Sequence, residues 1–274
     1  FCTTINLPMH KKILPVLLFI SLFCYLPVVS MAWGMLGHRI VGGIAETYLT
    51  SKAKMEIRRI LGNESIAMAS NWADFIKSDT SYRYISPWHY VNFAKDLSYT
   101  QMQDFLKTDT ATDAYTRLNF LVKELKKKNL SKEKKVMYLK LLIHIAEDLS
   151  QPMHVSPVGT TGGNDIKLNW FNTPSNLHRV WDEHLIEYQQ LSYTEYIQAI
   201  NFPTALQLKK WKKEPIAIWL YDSYSQAQKL QSEITGTNPR LSYEYNYNHV
   251  KQLNEQLLKG GIRLAGLLNS IFDK

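Results

Sequence analysis

Apolar positions along this chain recur mostly at intervals of three and four, the repeat of a helix that buries one face. Ile40, Ile44 and Tyr48, then Met55 and Ile60, predict helical structure over 36–61, broken by a cap near Thr50-Ser51. Another helix is expected over 65–77. Leu118, Leu121, Val122 and Leu125 share one face of a helix over 116–128, which ends in Lys126-Lys127-Lys128, cations suited to a helix C-terminus. Ser131-Lys132-Glu133-Lys134 reads as the cap and charged first turn of a helix over 133–150. Further helices are expected over 178–190, 193–201, 214–233 and 246–272. Alternation of period two is scarce, and residues 166–170 are the best short strand. Residues 79–88 and 155–176, with Pro87, Pro157, Gly159, Gly162, Gly163 and Pro174, read as loops. No repeat or linker divides the chain, so the pattern predicts an all-α, single mainly helical domain.

The amino-terminal segment follows a different pattern. The chain opens on Phe1, and Met9 is the expected true start. Met9-His10-Lys11-Lys12 is followed by a mostly apolar run over 13–29, then by Ser30-Met31-Ala32, which puts small residues at −3 and −1 before Trp33. Pro15 and Pro27 interrupt the run, and it is short for a membrane span. Residues 1–32 are therefore expected to be a secretory signal peptide removed after Ala32, leaving a domain at 33–274 that is secreted or periplasmic. Bulky Phe23 before Cys24 argues against a lipoprotein signal.

Composition changes this picture in two ways. The 274 residues hold only two cysteines, Cys2 and Cys24, and both lie in the expected leader, so the remaining chain has neither disulfide nor thiolate. A tightly held metal must then use His, carboxylate or backbone ligands. Loss of Lys11 and Lys12 lowers the net charge from +8 to +6, a mild excess compatible with an anionic substrate. Lysines at 123–135 and 209–213 read as solvated corners. Asn63-Glu64-Ser65 and Asn129-Leu130-Ser131 fit glycosylation acceptors.

The histidines carry the chemistry. His144 and Asp148 stand at i and i+4, as do His178 and Asp182, so each pair projects from one helix face toward one cation. His144 and Asp148 also continue the stripe of Met137 and Leu141 and so point inward, where a lone carboxylate is costly unless paired or bound to metal. His154 follows Gln151-Pro152, where the helix must end and swing a side chain back. Asp74 in Asn71-Trp72-Ala73-Asp74, His89 in Pro87-Trp88-His89-Tyr90, and His38 in Trp33-Gly34-Met35-Leu36-Gly37-His38 complete the set. Cleavage before Trp33 would add a free amino group and carbonyl that chelate together. Ligands limited to nitrogen and oxygen suit zinc. His184 and His249 are assigned to a solvated helix face and a loop.

In these motifs the chain resembles the zinc-dependent single-strand-specific nucleases and 3′-nucleotidases, within the phospholipase C–nuclease superfamily. The resemblance rests on Trp-Gly-x-x-Gly-His at 33–38, Trp-Ala-Asp at 72–74, His89, His-x-x-x-Asp at 144–148 and Gln-Pro-x-His at 151–154. It continues with Gly-Gly-Asn at 162–164, His-x-x-x-Asp at 178–182 and Lys-Gly-Gly-Ile-Arg-Leu-Ala at 259–265. It implies three zinc ions: one on Asp74, His89, His144 and Asp148, a second on His154, His178 and Asp182, a third on the Trp33 amino group and carbonyl with His38 and the shared Asp148. In the family scheme a hydroxide shared by the first two zincs attacks phosphorus in line, and the third stabilises the leaving 3′-oxygen, giving 5′-phosphates.

The resemblance also implies substrate contacts. Lys77 stands where the family often has an Arg on the phosphate, and Lys offers a point charge rather than a fork. Tyr90 matches an aromatic that stacks a base, although Trp88 and Phe93 beside it would equally suit a place in the core. Asn92 replaces an Asp that contacts the base, and Gly163 and Asn164 border the cleft. The expected substrates are single-stranded DNA and RNA and 3′-nucleotides, acted on by a monomer without stable membrane association. A zinc phospholipase C of the same superfamily is the alternative, but its last ligand is typically Glu where this chain has Asp182. A non-catalytic zinc protein ranks last, because structural zinc is usually caged by four ligands including Cys.

Overall fold

The computed structural model describes residues 33–273. The expected leader 1–32, with the Met9 start, Cys2 and Cys24, lies outside the described residues. The chain forms α1 (Met35–Thr47), α2 (Ser51–Leu61), α3 (Ile66–Ala69), α4 (Trp72–Ile76), a 3-10 helix (Thr80–His89) and β1 (Val91–Phe93). Next come α5 (Tyr99–Thr108), α6 (Ala114–Leu125), α7 (Lys132–Asp148), β2 (Val155–Pro157), β3 (Lys167–Trp170) and β4 (Thr173–Asn176). The last third holds α8 (177–187, with a π-helical turn at Val180–His184), α9 (Tyr193–Ile200), α10 (Ala205–Trp211), α11 (Ile216–Glu233), β5 (Arg240–Leu241) and α12 (Tyr243–Phe272). The all-α expectation therefore stands, with a few short strands. Among the described residues no helix is long and apolar enough to cross a membrane.

Side-chain caps set most helix starts. The Thr50 hydroxyl accepts from the Ala53 amide and separates α1 from α2, as the sequence predicts. Ser131 caps α7 through the Lys134 amide, also as predicted. Reciprocal capping boxes at Ser98/Gln101 and Thr204/Gln207 start α5 and α10, two helices that apolar periodicity alone misses. The single helix expected over 214–233 begins only at Ile216, after Pro215.

Two other expectations need correction. Residues 65–77 form two helices, because the chain breaks at Ser70, whose carbonyl turns to accept from the His144 ring at 2.6 Å. Residues 79–88 are a 3-10 helix rather than a loop. Asp79 caps it, and Tyr82, Ile85 and Trp88 face the core at the interval of three that this tighter helix aligns. Within the expected loop 155–176, β2 pairs in parallel with β1 in the register Val91↔Val155. The expected strand at 166–170 is present as β3, between antiparallel β4 and parallel β5.

α7 runs through the middle. From Leu139 onward all of its residues except Lys140 are buried, so this helix is enclosed all round and its polar side chains must find partners inside the protein. α1 and α12 pack together and each contributes to both apolar clusters of the core. The C-terminal motif at 259–265 works here and not at the site: Arg263 is buried and held by Glu214 and Asp222, over the ring of Trp219.

Candidate metal centre

Six segments bring their polar side chains to the C-terminal end of α7. His144 and Asp148 stand one turn apart there, with Nε2 and Oδ2 at 3.3 Å. Because His144 Nδ1 donates to the Ser70 carbonyl, its Nε2 faces inward, 2.9 Å from His89 Nδ1 and 3.7 Å from Asp74 Oδ1. His89, the last residue of the 3-10 helix, also lies 3.1 Å from Asp148 Oδ2. The His38 ring, from α1, stacks on His144 at 4.0 Å and puts Nε2 3.5 Å from Asp148 Oδ1 and 3.8 Å from Asp74 Oδ2. The two oxygens of Asp148 thus face different sets of nitrogens.

A neighbouring group forms on α8. His178 Nε2 lies 3.0 Å from Asp182 Oδ2, and His154 Nε2 lies 3.8 Å from Asp182 Oδ1. Gln151 donates to the same Asp182 oxygen. His178 is aimed by its other nitrogen, which donates to the Gly162 carbonyl at 2.7 Å. Gly162 has φ +61°, and a Cβ there would come within 2.5 Å of the Met153 carbonyl, so the turn that presents this carbonyl needs glycine. Trp33 is buried with its indole donating to the Glu147 carbonyl at 3.0 Å, and the Gly34 amide donates to the Asp182 carbonyl at 2.9 Å. Those two bonds tether the segment before α1 to both groups.

Three sets of ligand atoms lie within 4.8 Å of one another: His38, His144 and Asp148; Asp74, His89 and His144; His154, His178 and Asp182. All these residues are buried. His38 Nε2, Asp74 Oδ2, Asp148 Oδ1 and His154 Nε2 have no hydrogen-bond partner, although each is enclosed. Four orphaned donor atoms facing a shared interior are what a bound cation would satisfy, and nitrogen and oxygen donors without thiolate fit a divalent metal of the zinc type.

Electrostatics agree with that fit. Burial, then the charges of Asp74, Glu147 and Asp182, raises the Asp148 carboxyl well above the usual range. Burial, then His144, His154 and Lys77, holds His38 well below the ordinary imidazole value. Burial does the same to His154, with His178 adding to it, and to His89, with His144 adding. The Asp148 carboxyl resists ionising and the imidazoles of His38, His89 and His154 resist protonation, a combination that a bound cation would complete.

The expected substrate contacts divide. Lys77 caps α4 and sits on Asp74 itself, Nζ to Oδ1 at 2.6 Å. Tyr90 is 43% exposed, which settles its two readings against the core. It shares the outward face of β1 with exposed Asn92, while Val91 and Phe93 point inward. Gly163 is buried beneath the turn against Met153, and the Asn164 amide is spent on the Thr161 carbonyl at 2.9 Å. Two histidines outside the ligand set differ from expectation. His184 is half-buried under the hairpin of β3 and β4, stacked on Trp170 and 3.0 Å from the Ser175 hydroxyl. His249 lies on α12, not in a loop, 3.2 Å from Glu233. Glu147 and Gln151 belong to the surroundings of the site; both sit inside its motifs, but nothing in their spacing points to a role for either.

The chain matches the family described as S1/P1 Nuclease over residues 33–273. It is 28% identical to Endonuclease 2 of Arabidopsis thaliana over 265 residues, covering 88% of this chain and 90% of the relative. With Nuclease S1 of Aspergillus oryzae the identity is 27% over 275 residues, 88% and 92% of the two chains. Nuclease P1 of Penicillium citrinum is 26% identical over 158 residues, 56% and 58%. The extent of the family match, over a helical fold closed around His and Asp clusters, makes this chain a member of the S1/P1 nuclease family, an enzyme that hydrolyses phosphodiester bonds in nucleic acid.

Proposed function

We propose that this protein is an exported, zinc-dependent nuclease that cleaves single-stranded DNA and RNA to 5′-phosphorylated products and also acts on 3′-nucleotides. Asp148 carries the reading, because its two oxygens face separate groups of buried, partly orphaned ligand atoms. Asp74, His89, His144 and Asp148 would hold one zinc, His154, His178 and Asp182 another, and His38, Asp148 and the amino terminus at Trp33 a third. Asp148 would then be shared by the first and third of these groups. Bound zinc supplies Lewis-acid activation of water and charge stabilisation at phosphorus.

The rest falls to the chain's own side chains. Lys77 brings a cation beside Asp74 that offsets phosphate charge. Tyr90 offers an exposed ring directly after His89, and stacking on it requires an unpaired base, which accounts for single-strand preference without a base code. Asn92 beside it can both donate and accept, so it suits more than one base edge. Export rests on the leader pattern over 1–32 and on a family match that starts at Trp33.

The test is a chain beginning at Trp33, loaded with zinc and given a single-stranded oligonucleotide beside phosphatidylcholine, with and without chelator. Chelator-sensitive release of 5′-phosphorylated fragments is the expected result. Cleavage of the lipid alone would replace this reading with the phospholipase one.

A further inference from the structure

Glu147 is fully buried beside the metal groups and belongs to none of them. Its Oε2 lies 2.6 Å from His38 Nδ1, and its Oε1 accepts from the Ser70 hydroxyl at 2.7 Å. Its main-chain carbonyl accepts the Trp33 indole N–H at 3.0 Å. The room it occupies is kept open by Gly42 on α1, where a Cβ would come within 2.4 Å of the Ser70 hydroxyl and 3.1 Å of Glu147 Oε1. Two separate segments, α1 and the turn at Ser70, are therefore shaped around one carboxylate.

A comparison among the histidines sharpens its role. His144, His154 and His178 each donate Nδ1–H to a main-chain carbonyl, those of Ser70, His89 and Gly162. His38 has a carboxylate in that position. A carboxylate behind a ligating imidazole fixes the ring and makes its other nitrogen a stronger donor than a carbonyl does.

We propose that Glu147 is a positioning residue for the cation site built on Trp33 and His38. Its carboxylate holds His38 with Nε2 turned to Asp148, and its carbonyl anchors the ring of Trp33. The inference rests on the metal-centre reading above. Plain core packing does not explain the residue, since an apolar side chain would fill the same space without the cost of burying a charge.

The test compares the protein beginning at Trp33 with Glu147→Gln, Ser70→Ala and His38→Gln, by zinc titration against a chromophoric chelator and by the visible spectrum of the cobalt-substituted forms. Glu147→Gln should weaken, by roughly 10–100-fold, the same single cation that His38→Gln loses, and should alter that site's cobalt spectrum while the other sites keep theirs. Ser70→Ala leaves the carboxylate in place and should produce a smaller loss at the same site, which keeps the test open if Glu147→Gln folds poorly. Wild-type affinities and spectrum in Glu147→Gln would overturn the proposal, as would an equal loss at every site. A wild-type protein that binds no cation would instead overturn the metal-centre reading itself.

Discussion

His154 hangs from the main chain of another site residue: its Nδ1 donates to the His89 carbonyl at 2.7 Å. The bond sits at the head of the parallel pairing of β1 and β2, in which Val91 lies opposite Val155. Two histidines 65 positions apart are thus set side by side by a strand pair of three residues each. Such a short pair cannot hold itself together; the α11 helix packed on β2 and the apolar core that Val91, Phe93 and Val155 enter support it, and a cation bound at the neighbouring ligand groups would add to that support.

Removing metal should therefore loosen the fold as well as stop the reaction. A ligand bound only by the folded state at 100 times its Kd contributes about 2.7 kcal/mol. We expect Tm to fall on chelation, to recover with added zinc and to rise with its concentration. A Tm indifferent to zinc in a protein shown to hold it would contradict this.

Asp148→Asn should reduce oligonucleotide cleavage by more than about 100-fold and lower the zinc content, since one oxygen of the shared carboxylate becomes a donor amide. Circular dichroism serves as the control for folding. Retention of full activity would sink the shared-ligand proposal.

Tyr90→Ala should weaken single-stranded substrates by about 1–3 kcal/mol, read as a higher KM with kcat little changed, whereas Tyr90→Phe should behave as wild type. The same loss on a 3′-phosphate ester that carries no base would show that Tyr90 acts by some other means than stacking.

Arg263→Ala should cost about 3 kcal/mol in urea unfolding, because Glu214, whose side chain is 8% exposed, loses both guanidinium bonds and keeps only Lys210 at 3.6 Å. Zinc content and kcat of the folded fraction should stay unchanged. A selective loss of kcat would move the C-terminal motif from packing to catalysis.

Asp113 caps α6, and burial, with Asp109 adding to it, raises its carboxyl to about 6. Since the folded value exceeds the unfolded one, this group's contribution is full below the unfolded pKa and is lost as pH rises through about 6. Asn also caps helices well and does not ionise. Asp113→Asn should match wild type in urea midpoint at about pH 4 and exceed it at about pH 7. An advantage that shrinks as pH rises would refute this account.

By itself the sequence determined the helical class, most helix positions and every residue type that a metal could use. Those features are local: apolar spacing, caps, and the i, i+4 pairs His144/Asp148 and His178/Asp182 follow from one turn of one helix. Short or tightly wound pieces escaped it, such as the break at Ser70 and the 3-10 helix before His89, since a few residues carry too little periodicity. The grouping of the ligands came from the sequence only through its resemblance to a family, and tertiary structure alone decided that Tyr90 points outward and that Glu147 reaches His38 across 109 positions. On an enclosed helix, inward is every direction, and only the neighbours packed around α7 decide that Asp148 joins the ligand groups while Glu147 backs His38.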